Sequence, residues 1–201
     1  MDAKVQGLLK RLEAEGLKHD ATETEHSRKF LNLEPATAEV IAILLQIARV
    51  RNLMEIGTSN GYSTTWLAAT IGPQGGRITS IDRDPRKHAM ARENLTAANL
   101  LGYVDLQLGD ATEIAAQLPG PFDCLFFDAD RVSAPKQLEV LLPKLSLPAL
   151  LLADNAISHP DQIAAYLARV KEIEHVVQTI IPVGKGLSVA YVSRPTLTQT
   201  G

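Results

Sequence analysis

The sequence predicts an α/β fold: a Rossmann-like, doubly wound seven-stranded sheet, mostly parallel, ending in a C-terminal antiparallel hairpin and flanked by helices on both faces. Three observations predict it. From residue 50 onward, short β-rich runs alternate with helix-length segments, the mark of βαβ units and a parallel sheet. The runs are nearly continuous apolar stretches, as strands buried on both faces should be. The last two runs are separated only by Pro182-Val183-Gly184-Lys185-Gly186, too short for a helical crossover, so they pair as an antiparallel hairpin.

Residues 5–17 place Val5, Leu8, Leu9 and Leu12 on one face of a helix, with Lys4, Lys10, Arg11 and Glu13 mostly opposite. A polar stretch, 18–29, reads as a connection, and Pro35 opens a second helical run over 36–49. Strands are expected at 52–56, 77–81, 104–108, 122–127 and 149–153, then at 176–181 and 187–193. Helices are expected between them at 62–71, 85–101, 111–118, 134–145 and 159–170. The 201 residues suffice for one sizeable core and little more, so residues 1–201 read as a single domain, with 1–49 a helical lead-in and 50–201 the cofactor-binding sheet.

Composition excludes several function classes. A hydrophobic content of 45% with 13 glycines is ordinary globular usage. A net charge of −3 without a large basic block argues against nucleic acid as a partner. The lone Cys124 cannot form an intramolecular disulfide, and no secretory pattern opens the chain, so a cytoplasmic setting is expected. The most apolar stretch, 140–153, is broken by Pro143, Lys144 and Pro148 and does not read as a membrane span. The apolar face around Leu8 and Leu12 is read as exposed, which makes a homodimer an expectation.

In an open parallel sheet, ligands bind beyond the carboxyl ends of the strands. The first strand runs into Glu55-Ile56-Gly57-Thr58-Ser59-Asn60-Gly61-Tyr62-Ser63-Thr64. Gly57 and Gly61 allow a tight turn and close approach to a ligand, and the helix start beyond offers free amides. Ser59 stands at the second glycine position of GxGxxG, which weakens a pyrophosphate-binding reading. Glu55 is suited to accept a hydrogen bond from an ammonium or an ordered water. Asp82, ending the second strand, suits ribose hydroxyls; its other reading is a cap for the next helix. Asp110, after Gly109, either faces an adenine amino group or caps the helix starting at Ala111.

The fourth strand ends in Asp128-Ala129-Asp130-Arg131 and the fifth in Asp154-Asn155. As neighbours, these strands bring Asp128, Asp154 and Asn155 to one rim. Two carboxylates and an amide oxygen form a hard site suited to Mg²⁺, Mn²⁺ or Ca²⁺ and unsuited to structural zinc. The alternative is a local Asp128–Arg131 ion pair, with Asp154 as a helix cap. His159 is placed to act as acid or base; equally, Ser158 reads as an N-cap with Pro160 in the first turn of the helix. Trp66 reads as core, and Lys185 as a solvated side chain.

Glu-Ile-Gly-Thr-Ser-Asn-Gly-Tyr-Ser-Thr-Thr-Trp-Leu-Ala, residues 55–68, resembles the first motif of the family of catechol and caffeoyl-CoA O-methyltransferases. Ser80-Ile81-Asp82 and Leu108-Gly109-Asp110-Ala111 are similar to its second and third motifs, and residues 31–37 to its lead-in over the cofactor. The resemblance covers about residues 31–192 and extends to a bacterial subgroup with Asp-Ala-Asp-Arg and Asp-Asn-Ala-x-Ser-His patterns. It implies a class I methyltransferase that moves a methyl group from S-adenosylmethionine to a hydroxyl of a small catechol-like or phenolic molecule. The implied cofactor-binding residues are Leu33, Glu55, Gly57, Thr58, Ser59, Gly61, Tyr62 and Ser63, with Asp82, Arg83, Gly109, Asp110, Ala111 and Asp128. Asp128, Asp154 and Asn155 stand where the family places its metal ligands. A metal holding two vicinal oxygens aligns the acceptor with the methyl–sulfur bond and lowers its pKa.

One position departs from the family. Where better-known members carry a lysine three residues after the first metal-binding aspartate, this chain has Arg131, and a guanidinium stays protonated in proteins. Arg131 then clamps an anionic substrate group, or ionisation is left to the metal. Two other readings compete. A nicotinamide-dependent oxidoreductase is disfavoured by Ser59 and the terminal hairpin. A methyltransferase-like protein that binds without turnover is kept open by Arg131.

Overall fold

The structure is a computed structural model and describes residues 1–195; the last six residues of the expected domain lie outside the described residues. Strand β1 (Asn52–Ile56) pairs in parallel with β2 (Arg77–Asp82) on one side and β4 (Phe122–Phe127) on the other. β3 (Val104–Leu108) extends the sheet beyond β2, and β5 (Leu145–Ala153) beyond β4. The antiparallel hairpin of β6 (Val176–Ile181) and β7 (Leu187–Val192) completes it, with β7 against β5. The order β3-β2-β1-β4-β5-β7-β6 reverses direction between β1 and β4, the switch point at which such sheets bind ligands.

Alternation along the central strands feeds two apolar layers. Leu53, Cys124, Phe126, Leu150 and Leu152 face α1 (Ala3–Thr22), α2 (Pro35–Ile47), α3 (Tyr62–Ile71) and α4 (Pro85–Ala97). Met54, Leu125, Phe127, Leu151 and Ala153 face α5 (Ala111–Gln117), α6 (Ala134–Leu141) and α7 (Pro160–Lys171). No helix among the described residues is long and apolar enough to cross a membrane.

Several elements differ from the sequence reading. α1 runs to Thr22, because Asp20 in its last turn accepts hydrogen bonds from the amides of Phe30 and Leu31, both at 2.8 Å, and so has a tertiary role the apolar pattern does not encode. Leu8 and Leu12 are buried in the first layer, so the apolar face on which self-association was expected is covered by this chain itself. α4 stops at Ala97: Asn99 takes a left-handed conformation (φ 57°) and Leu100 N donates to Leu95 O, a helix-terminating arrangement. α6 stops at Leu141. Pro143 lacks an amide hydrogen for the next helical bond, and a 3₁₀ turn over Leu142–Lys144 leads into a β5 longer than expected.

Candidate active site at the switch point

The carboxyl ends of β1, β2, β3 and β4 open onto a cavity of about 770 Å³. Its floor is the turn after β1. Gly57 sits at φ 108° and donates to Ile81 O at 3.0 Å; a Cβ there would overlap the carbonyl oxygen of Asp128. Gly61, at φ 84°, lies against α4, where its Cβ would meet Ala91 Cα at 3.0 Å. Both glycines therefore allow close approach of protein to protein, a stricter demand than the ligand clearance expected from the sequence. Ser59, also left-handed at φ 48°, donates its hydroxyl to Phe30 O at 2.9 Å and ties the turn to the lead-in.

Leu33, Gly57, Thr58, Ser59, Tyr62, Ser63, Asp82, Arg83, Gly109, Asp110, Ala111 and Asp128 all line this cavity. Asp82 accepts from Ser59 N at 2.7 Å and Asp84 N at 2.8 Å; the cap of α4 is Asp84, not Asp82. Asp110 combines both readings, since it caps α5 through Oδ1 while lining the cavity. Gly61 is not among the lining residues. Glu55 departs from expectation. It is fully buried, is not among the residues lining this cavity, and accepts from Ser63 Oγ at 2.6 Å and from Thr64 Oγ1 and Ser80 Oγ at 2.5 Å. Burial pushes its carboxyl up to about 7, opposed by those three hydroxyls. Glu55 thus braces the turn from below.

At the other end, Asp128 N donates to Ile56 O and Asp154 N to Phe127 O, continuing the ladders past the strand ends. Phe127 pairs with Ala153, so Asp128 and Asp154 follow side by side. Asn155, at φ 69°, donates Nδ2 to Asp154 Oδ2 at 2.9 Å and accepts at Oδ1 from Ser158 Oγ at 3.3 Å. Asp154 is buried, and its Oδ1 has no hydrogen-bond partner. Burial and the neighbouring Asp154 hold the Asp128 carboxyl well above the usual range; burial, reinforced by Glu34, raises Asp154 to about 6. Among the described residues no cluster of three His, Cys, Asp or Glu side chains could hold a metal, but the expected set has two carboxylates and an amide. Mutually repelling carboxylates with an orphaned buried oxygen fit a divalent cation in chemistry and charge.

Arg131 lines the cavity and donates Nε to Gln162 Oε1 at 2.9 Å. Among the described residues it makes no ion pair, so the Asp128–Arg131 alternative does not hold. His159, not Ser158, occupies the N-cap position of α7, without a side-chain cap bond; its ring lines the cavity and shares a 2.8 Å hydrogen bond with Ser158 Oγ. Burial, then the charges of Arg131 and Lys185, lower the His159 pKa. Lys185 is not merely solvated: it lines the cavity and pairs with Glu34 at 3.0 Å. Trp66 packs against the first core layer.

The sequence profile of the O-methyltransferase family matches residues 6–190, nearly the whole chain. The chain belongs to the O-methyltransferase family. Among curated relatives, the catechol O-methyltransferase of Niastella koreensis is 35% identical over 132 residues, 63% of this chain and 59% of that protein. That of Mycobacterium tuberculosis is 33% identical over 118 residues, 58% of this chain and 53% of its length. The matched segment thus spans little more than half of either relative. The O-methyltransferase from Bacillus cereus, solved in complex with S-adenosylhomocysteine, superposes with a TM-score of 0.79 at 25% identity, covering 96% of this chain and 92% of that one. The cavity is also lined by residues that the sequence motifs do not mark, among them His26, Lys29 and Phe30 ahead of the lead-in and Asp84, Pro85, Arg86 and Lys87 at the start of α4. Asp20, whose carboxylate holds that lead-in, carries no local signal of doing so.

Proposed function

We propose that this chain transfers a methyl group from S-adenosylmethionine to a hydroxyl oxygen of a small vicinal diol or related phenol, with help from a divalent metal. The observation that carries this reading is a pair of adjacent carboxylates raised by burial, Asp128 in the wall of the glycine-turn cavity and Asp154 buried beside it. Asp82 would accept from the ribose hydroxyls, and Asp110 from the adenine amino group through the oxygen not used for capping. Asp128, Asp154 and the amide oxygen of Asn155 would hold the metal, which supplies Lewis acidity toward the acceptor hydroxyl. The acceptor oxygen's electron pair forms the new O–C bond while the C–S bond breaks and its pair returns to sulfur. His159, whose pKa is lowered, is neutral near pH 7 and can take the acceptor's proton. Arg131, a fixed cation, can hold an anionic group of the acceptor but cannot remove a proton.

The test is turnover with S-adenosylmethionine over catechol, 3,4-dihydroxybenzoate and matched monophenols, with and without Mg²⁺. Mono-methylated diol formed only with metal is the expected product. Equal rates on diols and monophenols, independent of metal, would overturn the reading. Cofactor binding is checked separately by calorimetry with S-adenosylhomocysteine. Asp82→Ala is expected to weaken it by about 1.5–3 kcal/mol, the range for charge-assisted hydrogen bonds. Unchanged affinity would remove Asp82 from the ribose site.

A further inference from the structure

The turn between β6 and β7 is docked at two places. On one side, Lys185 O accepts from Ile157 N at 2.9 Å and Ser158 N at 3.0 Å, and Gly186 O from Ala156 N at 2.8 Å. These are the residues that directly follow Asn155. On the other side, Gly184 lies so close to the start of α2 that a Cβ there would stand 2.8 Å from Glu34 Oε2 and overlap the Thr37 hydroxyl. Between these anchors the Lys185 ammonium pairs with Glu34 Oε1 at 3.0 Å, with both side chains about one-third exposed. Glu34 occupies the N-cap position of α2 but its side chain makes no cap bond, and its Oε2 is buried without a hydrogen-bond partner. Its carboxylate is therefore not used for helix capping.

The other cation at this end, Arg131, donates Nε to Gln162 and keeps its terminal N–H donors, so the two cations can share an anionic acceptor. The Lys185 ammonium is held against Glu34 as an ion pair, and an ammonium carries three donors. Lys185 shares the cavity wall with Asp128, Asn155 and His159, the end where an acceptor would lie. A backbone anchored on both sides fixes where that charge sits, which a surface lysine on a free loop would not achieve.

We propose that Lys185 is a second acceptor-binding cation of this site, beside Arg131, donating a hydrogen bond to an ionised oxygen of the acceptor, and that Glu34 is the positioning residue that holds its ammonium in the cavity. The proposal rests on the methyltransferase reading above and adds to it a specificity for acceptors that bind as anions, catecholates and hydroxylated benzoates among them.

The test uses the full chain saturated with S-adenosylhomocysteine and Mg²⁺, titrated with 3,4-dihydroxybenzoate. Lys185→Met removes the charge and leaves the docked backbone in place. It is expected to weaken dihydroxybenzoate about tenfold or more, the scale of one charge-assisted hydrogen bond, while S-adenosylhomocysteine binds within about twofold of wild type. Lys185→Arg restores most of the affinity. Glu34→Gln raises the KM for the diol about threefold with kcat nearly unchanged, a split that general loosening of the fold would not give. Dihydroxybenzoate binding unchanged in Lys185→Met overturns the assignment. So does a parallel loss of S-adenosylhomocysteine, which would make the residue structural. Wild-type protein that neither binds nor methylates any diol overturns the methyltransferase reading, and this assignment with it.

Discussion

Chelating divalent metal is expected to stop methyl transfer by the wild-type protein, with a loss of about 10³ or more, while S-adenosylhomocysteine still binds. The size follows from the several kcal/mol of charge stabilisation that a bound metal provides. The same carboxylates predict a second signature, in stability. Burial raises Asp154 in the folded chain from 3.8 to about 6, and Asp128 and Glu55 move in the same direction. A carboxyl whose folded pKa lies above its unfolded one binds more protons folded than unfolded. Its contribution is fully present below about pH 4 and is lost as pH rises through about 6. Two units at Asp154 amount to up to about 3 kcal/mol. Metal-free protein should therefore lose stability across that window, and Mg²⁺ should raise the unfolding midpoint at pH 7.5 but not at pH 4.5, where protonated carboxylates bind it poorly. Asp154→Asn should abolish turnover yet make the metal-free protein more stable at pH 7.5. Thermal unfolding across pH, with and without Mg²⁺, reads all of this. A metal-free midpoint that climbs steadily from pH 4.5 to 7.5 contradicts the account.

Gly57→Ala is expected to be the most damaging single methyl group in the chain. At φ 108° an L-residue is strained, and the added carbon would collide with the Asp128 backbone and stand 3.1 Å from Ala129 Cβ. Backbone cannot swing aside like a side chain, so the end of β4 must move, and the Asp128 carboxylate with it. A loss of roughly 3–5 kcal/mol in urea unfolding is expected, together with loss of S-adenosylhomocysteine binding. Gly75→Ala is the control. Gly75 has a similar conformation, φ 85°, but a Cβ there meets nothing within 4 Å, so only the backbone cost of about 1–2 kcal/mol applies. Similar losses at the two positions would mean that conformation, not the Asp128 contact, decides Gly57.

Much of this was legible in the sequence because its signals are local. Asn52–Ile56 and Phe122–Phe127 are apolar runs of strand length, and their ends place Gly57 and Asp128 without tertiary information. The short segment from Pro182 to Gly186 declares the hairpin. What was missed depends on partners far along the chain. Nothing near Lys185 announces Glu34, and nothing near Asp20 announces the amides of Phe30 and Leu31. Glu55 was read by its position at a strand end, but three hydroxyls from two other elements turn it into a buried brace. Helical periodicity marks the apolar stripe of Leu8 and Leu12 without saying what covers it, and this chain's own core does.

The clasp between Glu34 and Lys185 joins the start of α2 to the turn before β7, about 150 residues apart in sequence. Contacts at such sequence separation form late, because the loop they close must first lose its conformational freedom. A chain emerging from the ribosome can build β1, its glycine turn and α3 from neighbouring segments. The far end of the cavity must wait until the final hairpin has been made and laid against β5. Cofactor affinity is therefore expected to appear during synthesis before acceptor affinity does.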